Sequence, residues 1–408
     1  MTNLPLHIAR RYLFSKKSHN AINIISLISV LGVATATLAM VCVLSAFNGF
    51  QDLIGSYYRN FDPEMKITAV QGKTFRTDTE AFCRLRGLPS VALCCESVED
   101  FALARYKDSQ TSVRVKGVSA NFDSLTHLSD CMVAGHYALE EYGLLFSMTG
   151  VGVAATLNTG SSFIDPITLY APRRHGSVSL ANPAASFRTR RILMAGTFSI
   201  GQPEYDEQYV VVPIDFARQF FEYDSTEVTS LELKLATSVR PQTAKKQIRE
   251  LLGPVFRVED LREQKAEFYR INKMEKLVTY LILSFILLVA LFNVVGSLSM
   301  LILEKKQDAA TLSCLGADHD TLRRVFLYEG WLIAFAGALA GLVLGILLVW
   351  LQQGTGLLKL GSGEFIVSAY PVRLRAADLG LILITVLAVS LPSVWWPIHY
   401  VFGKKEAQ

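Results

Sequence analysis

Four long blocks of the chain, Ile22–Phe47, Leu277–Leu303, Trp331–Leu351 and Leu379–Trp396, run without a charged residue. Between the first and second, apolar and polar positions alternate at short period. About 20 apolar residues suffice to cross a bilayer's hydrocarbon core. In lipid a lone strand would leave its backbone groups unpaired, so each block is predicted to be a helix. The first is longer than a signal-peptide core and no small-x-small cleavage site follows it, so it is expected to remain as an anchor. The pattern predicts a membrane protein with four transmembrane α-helices and a large α+β extracytoplasmic domain inserted between helices 1 and 2.

Within the insertion, β-branched or alternating runs predict strands at Met65–Val70, Thr111–Val118, Ile167–Tyr170, Arg191–Phe198, Tyr209–Pro213 and Ser230–Ala236. Helical patterns fall at Asp78–Leu85, Asp215–Phe221 and Gln242–Leu252, the last closed by Gly253-Pro254. Gln51–Phe61 and the charged amphipathic stretch Asp260–Lys276 are placed to form stalk helices continuing spans one and two. One segment departs from this regularity: Arg173–Arg190, punctuated by Pro172, Gly176 and Pro183 and carrying Leu180 and Phe187 between two strands. A disordered loop and a protruding partner-binding arm both fit it.

Charge sets the orientation. Arg10, Arg11, Lys16 and Lys17 precede span one, Lys305, Lys306, Arg323 and Arg324 separate spans two and three, and Lys404 and Lys405 follow span four. Basic short flanks face the cytoplasm, so both termini are expected inside. Lys359, Arg373 and Arg375, between spans three and four, run against the rule. Leu6, Ile8, Ala9, Tyr12 and Leu13, interleaved with basic residues, suit a helix lying on the inner membrane surface. In span three, Gly337, Gly341 and Gly345 at four-residue spacing form a small-residue face for helix packing, and Asn23 and Asn293 are expected to hydrogen-bond between helices.

Composition removes other classes. A net charge of +4 with scattered basic residues offers no nucleic-acid surface. The six cysteines, Cys42, Cys83, Cys94, Cys95, Cys131 and Cys314, have neither C-x-x-C spacing nor nearby histidines, so no metal site is expected. The four in the insertion leave a disulfide open, without a readable pairing. Gly72-Lys73-Thr74 follows a strand as in a phosphate-binding loop, but Ile67 stands where that motif needs its first glycine. H-E-x-x-H and G-x-S-x-G are absent, so no catalytic residue is expected and the insertion reads as a binding module.

Arg11-Tyr12-Leu13, Ile24–Ser29 and Ala46-Phe47-Asn48-Gly49-Phe50-Gln51 resemble the permease subunits of lipoprotein-releasing ABC transporters, the LolC/LolE type, within the wider FtsX-like and MacB-type permeases. The likeness resumes at Phe268–Lys276, Phe292-Asn293-Val294-Val295, Glu304-Lys305-Lys306-Gln307-Asp308 through Leu315-Gly316-Ala317, Arg323–Gly330 and Tyr370-Pro371-Val372. The C-terminal Trp395-Trp396-Pro397-Ile398-His399 departs from the family's more usual small and basic tail.

The resemblance implies a permease in the inner membrane of a Gram-negative bacterium, with no cofactor of its own. ATP and Mg would be bound by a cytoplasmic ABC ATPase dimer, and a second permease protomer, identical or homologous, would complete the transporter. Cargo would be lipoprotein, handed to a periplasmic lipoprotein carrier, with membrane lipids as surroundings. ATPase coupling falls on Glu304, Lys305, Lys306, Asp308, Ala309, Leu312, Leu315 and Gly316, with Ala309, Leu312 and Leu315 able to form one apolar helical face, Gly316 at a helix end and Asp318 able to cap the next helix. Met40, Leu44, Phe47 and Phe50, at helical spacing, either line a chamber for acyl chains or simply pack between helices. Arg173, Leu180, Pro183 and Phe187 occupy the place of the family's carrier-binding hook, with different residues. The same superfamily also contains mechanotransmission permeases that drive efflux or activate a cell-wall hydrolase.

The expected division is a cytoplasmic amphipathic segment 1–21, span one 22–47, the periplasmic domain 48–270, span two 271–303 and a coupling segment 304–326. Span three 327–352, a short periplasmic loop 353–377, span four 378–396 and a cytoplasmic tail 397–408 complete it.

Overall fold

The computed structural model describes residues 20–159, 165–174, 186–359 and 369–403, with Pro5 and His7. The surface helix expected near the N-terminus and the end of the tail fall largely outside the described residues. In chain order the helices of seven or more residues are α1 (Asn20–Arg59), α2 (Glu80–Arg86), α3 (Val151–Leu157), α4 (Ile214–Phe221), α5 (Pro241–Leu252), α6 (Ala266–Glu304), α7 (Lys306–Cys314), α8 (His319–Thr355) and α9 (Ala376–Gly403). The chain divides into two units, one of residues 1–53 and 270–408, the other Ile54–Tyr269.

Among the described residues, four helices are long and apolar enough to cross a membrane, within α1, α6, α8 and α9. Their core gathers Val33, Met40, Leu44, Leu287, Leu291, Leu298, Ile333, Ala338, Ile382 and Val394, while Leu281, Phe285, Phe292, Leu347 and Trp350 point outward. Lipid is as apolar as leucine, so helix association here must come from close fit rather than from a hydrophobic gradient. The glycine stripe supplies that fit. A Cβ on Gly337 would stand 2.8 Å from the Val30 carbonyl oxygen, on Gly341 2.3 Å from the Ala34 carbonyl oxygen, and on Gly345 2.8 Å from the Val41 Cβ. All three face α1, bringing the backbones of α8 and α1 together. Ser29 Oγ donates to the Asn293 carbonyl oxygen at 3.2 Å, so α1 and α6 are joined through the main chain at Asn293.

The other unit is α+β. Its strands are β1 (Met65–Ala69), β2 (Phe75–Arg76), β3 (Val91–Tyr106), β4 (Ser109–Val118), β5 (Met132–Gly135), β6 (Glu140–Glu141), β7 (Leu144–Gly150), β8 (Ile167–Pro172), β9 (Phe187–Phe198), β10 (Tyr209–Pro213), β11 (Glu227–Val228), β12 (Ser230–Leu235) and β13 (Phe256–Asp260). The main sheet has the order β13-β1-β12-β3-β4-β10-β7-β9-β5, with β8 bridging β3 and β9 and β6 on β7. Most pairs are antiparallel, whereas β10 runs parallel to β4 and β7 parallel to β9. Two apolar clusters fill it. One, under α3 and α4, holds Val113, Val153, Ile192, Val210 and Phe220. The other, under α2 and α5, holds Met65, Phe82, Leu231, Ile248 and Val258.

The longest strand, β3, has no counterpart among the expected strands. Cys94-Cys95-Glu96 and Glu99-Asp100 break its alternation, because the sheet buries charge as well as apolar side chains. Lys116 and Glu232, 2% and 0% exposed, form a 2.9 Å ion pair inside the unit. The Lys116 ammonium also stands 4.6 Å from the Phe61 ring centre and 4.8 Å from that of Phe122. Beside it, burial pushes the Glu99 carboxyl up, but Lys66, Lys116, the Tyr209 hydroxyl and Arg114 together hold it below the usual carboxylate range.

Candidate functional sites

The segment expected to couple to an ATPase begins where α6 ends at Glu304; Lys305 precedes the short helix α7. That helix stops at Cys314, with Leu315 in the capping position just past it and Gly316 at φ +92, a left-handed backbone that glycine adopts without strain. The Ala317 N–H returns to the Leu312 carbonyl at 3.0 Å and closes the turn. Leu312 is half-buried, whereas Leu315 is 79% exposed. Leu315, in the C-cap position of α7, still donates its N–H to the Thr311 carbonyl at 3.1 Å. The side chains of Asp308 and Ala309 lie outside the described residues. Asp318 occupies the N-cap position of α8, but its side chain makes no capping hydrogen bond. The Thr321 and Leu322 N–H groups donate to its backbone carbonyl instead, at 2.9 and 3.2 Å.

At the opposite end of the same helices, segments far apart in sequence meet. A Cβ on Gly49 would stand 2.3 Å from the Pro371 carbonyl oxygen, and Phe50 packs edge-on to Tyr370 with ring centres 5.0 Å apart. Thus Ala46–Gln51 and Tyr370–Val372, two of the runs that carried the resemblance, form one contact. Lys276 Nζ lies 2.9 Å from both Asp378 carboxylate oxygens and 2.9 Å from Asn48 Oδ1. Asn48 Nδ2 in turn donates to Asp378 Oδ2 at 2.6 Å. Asp52 takes Arg373 at 2.9 Å and Arg375 at 3.0 Å. Asp52 thus pairs with both arginines that ran against the charge rule and offsets one of their two charges. None of these charges was singled out from sequence as a site; the only signal was the departure from the charge rule.

The four candidate cargo-facing residues separate. Met40 and Leu44 are buried in the helical core, and Phe50 lies against Tyr370. Phe47 alone lines an open groove, of about 700 Å³, with Ile271, Met274, Val278 and Thr279 of α6.

In the α+β unit the candidate carrier arm rises from a ladder of β8 and β9, paired from Ile167↔Ile192 to Pro172↔Phe187. The Arg173 N–H extends it by donating to the Ser186 carbonyl at 3.0 Å. Leu180 and Pro183 lie outside the described residues, and Phe187 is 46% exposed. Sequence reasoning missed what fixes the stem. Arg174 donates through both terminal nitrogens to the Glu227 carboxylate at 2.7 Å each, and its guanidinium lies over the Tyr223 ring at 4.6 Å. Arg188 of β9 pairs with Glu222, the residue that caps α4, at 2.8 Å. The Arg174 hydrogen bonds hold the Glu227 carboxyl down to about 2. All six cysteines are free, and among the described residues no cluster of His, Cys, Asp or Glu could hold a metal ion.

Residues 280–405 match the model of the FtsX-like permease C-terminal family. Over 413 residues, 97% of this chain and 96% of the relative, the chain is 28% identical to the lipoprotein-releasing system transmembrane protein LolC of Neisseria meningitidis serogroup B. It is 26% identical over 424 residues to the corresponding LolE of Haemophilus influenzae, covering 100% of this chain and 99% of the relative. Over nearly its whole length the chain is therefore similar to permeases of the LolC/LolE type. Among solved structures, the periplasmic region of MacB from Actinobacillus actinomycetemcomitans matches with TM-score 0.38 and 10% identity over 52% of this chain and 95% of that one. Both relatives are named as transmembrane proteins of a lipoprotein-releasing system.

Proposed function

We propose that this permease couples ATP hydrolysis by a separate, cytoplasmic ATPase to release of lipoproteins from the inner membrane toward a periplasmic carrier. The observation that carries the reading is the near-complete coverage, in both directions, of transmembrane proteins named for lipoprotein release. The geometry is consistent with it. The exposed Leu315 and half-buried Leu312 offer apolar surface to a partner at the α6–α7–α8 turn. At the far ends of the spans, the groove beside Phe47 offers an apolar wall to acyl chains leaving the bilayer. Each methylene moved out of lipid needs about 0.8 kcal/mol of replacement apolar burial, so extraction requires such a wall together with an energy source. Met40 and Leu44, locked in the core, are assigned to packing and Phe47 to cargo. In this topology the termini and the α7 turn are cytoplasmic and the α+β unit is periplasmic.

The test is ATP-dependent lipoprotein release from vesicles reconstituted with this permease and its ATPase. A photocrosslinker at position 47 should give lipoprotein adducts that diminish on ATP addition. An ATPase-bound, folded complex that neither releases lipoprotein nor crosslinks to it would instead support mechanotransmission without lipid passage.

A further inference from the structure

The aromatic C-terminal run, which the release reading leaves unused, lines a second cavity. A groove of about 550 Å³ lies between α8 and α9, bounded by Arg324, Tyr328 and Trp331 on one helix and Leu391, Pro392 and Trp395 on the other. Its size falls in the range of about 300–1,000 Å³ usual for small-molecule sites.

Three features define what it can take. First, both walls belong to helices apolar enough to cross a membrane, and the rings are only partly covered by protein, Trp331 at 44% and Trp395 at 51% exposed. Tryptophan and tyrosine beside the charged end of a span are characteristic of the headgroup level of a bilayer, where an amphipathic ring meets both phases. Second, Arg324 is exposed at the groove and has no ion-pair partner among the described residues. Guanidinium recognises phosphate through paired N–H donors, and basic pockets between transmembrane helices take anionic headgroups. Third, the aromatic wall is set in place. Trp395 stacks on His399 with ring centres 4.9 Å apart and planes within 7°, and Arg323 Nη2 lies 3.1 Å from His399 Nδ1. Tyr328 meets Trp331 edge-on at 6.5 Å.

We propose that this groove binds one anionic glycerophospholipid, its phosphate on Arg324 and an acyl chain along Trp331, Leu391 and Trp395. The site is independent of the proposed release activity, and it lies at the end of the spans opposite to the Phe47 groove. A permease held there by a resident lipid would have α8 and α9 tied together beside the α7 turn.

The test is native mass spectrometry of the full chain in detergent, titrated separately with phosphatidylglycerol and phosphatidylcholine. Wild type should retain one phosphatidylglycerol about tenfold better than phosphatidylcholine, the effect of one charge-assisted phosphate contact. Arg324→Gln should remove that preference and Arg324→Lys keep part of it, while Trp395→Ala should lower retention of both lipids. Arg105→Gln, on the α+β unit, should change nothing. Unaltered melting temperatures separate lost binding from lost folding. Equal retention of the two lipids by wild type, or an undiminished preference in a folded Arg324→Gln protein, overturns the proposal.

Discussion

The Lys276 ammonium and the Asp378 carboxylate, at the starts of the second and fourth spans, sit 2.9 Å apart with side chains 23% and 14% exposed. Asn48 of the first span bonds to both, so one short network ties three membrane helices at a common level. A pair this well covered is costly to break from one side, because the remaining charge loses its partner without regaining full hydration.

Lys276→Met or Asp378→Asn should each destabilise the helical unit by about 1–3 kcal/mol, read as a lowered melting temperature in detergent. Exchanging the two charges in a Lys276→Asp/Asp378→Lys double variant should recover part of the loss. A double variant no better than the sum of the two singles would show that the pair contributes nothing.

Gly341→Leu should prevent accumulation of folded protein, since even a Cβ there would stand 2.3 Å from a backbone carbonyl of α1. Gly32→Ala is the matched control, because a Cβ at that position meets nothing within 4 Å, and it should express and melt normally. Comparable yields of the two variants would remove the close α1–α8 approach.

Inside the α+β unit, Lys116→Met should cost about 3–5 kcal/mol by leaving Glu232 buried without its counter-ion. The Lys116→Met/Glu232→Leu double variant should be more stable than either single, which hydrogen exchange of β4 and β12 would register.

The stem of the arm carries a pH signature. Glu227 is held down to about 2, from an ordinary 4.5, so between those values the unfolded state binds the additional proton and stability rises with pH. The contribution is complete above about 4.5 and is lost as pH falls toward 2. Arg174→Gln should shrink this acid-dependent leg, measured as the change in melting temperature between pH 6 and pH 2.5; an unchanged leg would show that Arg174 does not hold the carboxylate.

Leu312→Asp and Leu315→Asp should each abolish co-purification of the ATPase while leaving the permease folded, since both side chains lie at the proposed partner surface and Leu315 is 79% exposed. A complex that survives both changes would remove the α7 turn from the coupling assignment.

The local pattern decided the elements whose cause is local. A bilayer demands about 20 consecutive apolar residues with an internally satisfied backbone, and nothing soluble competes for that pattern, so the four spans and the inserted domain were legible from the chain. Glycine spacing likewise announced the α8 packing face, because a helix repeats its faces at three and four residues. Tertiary structure decided everything that rests on long-range pairing. Arg375 finds Asp52 across 323 residues, and no periodicity records such a partner. Strand β3 was missed because its charges, Glu96, Glu99 and Asp100, are half-buried against counter-ions from elsewhere in the chain, which makes its own alternation uninformative. Met40, Leu44, Phe47 and Phe50 read alike along one helix, yet neighbours on other helices bury two, leave one against Tyr370 and open a groove beside the last.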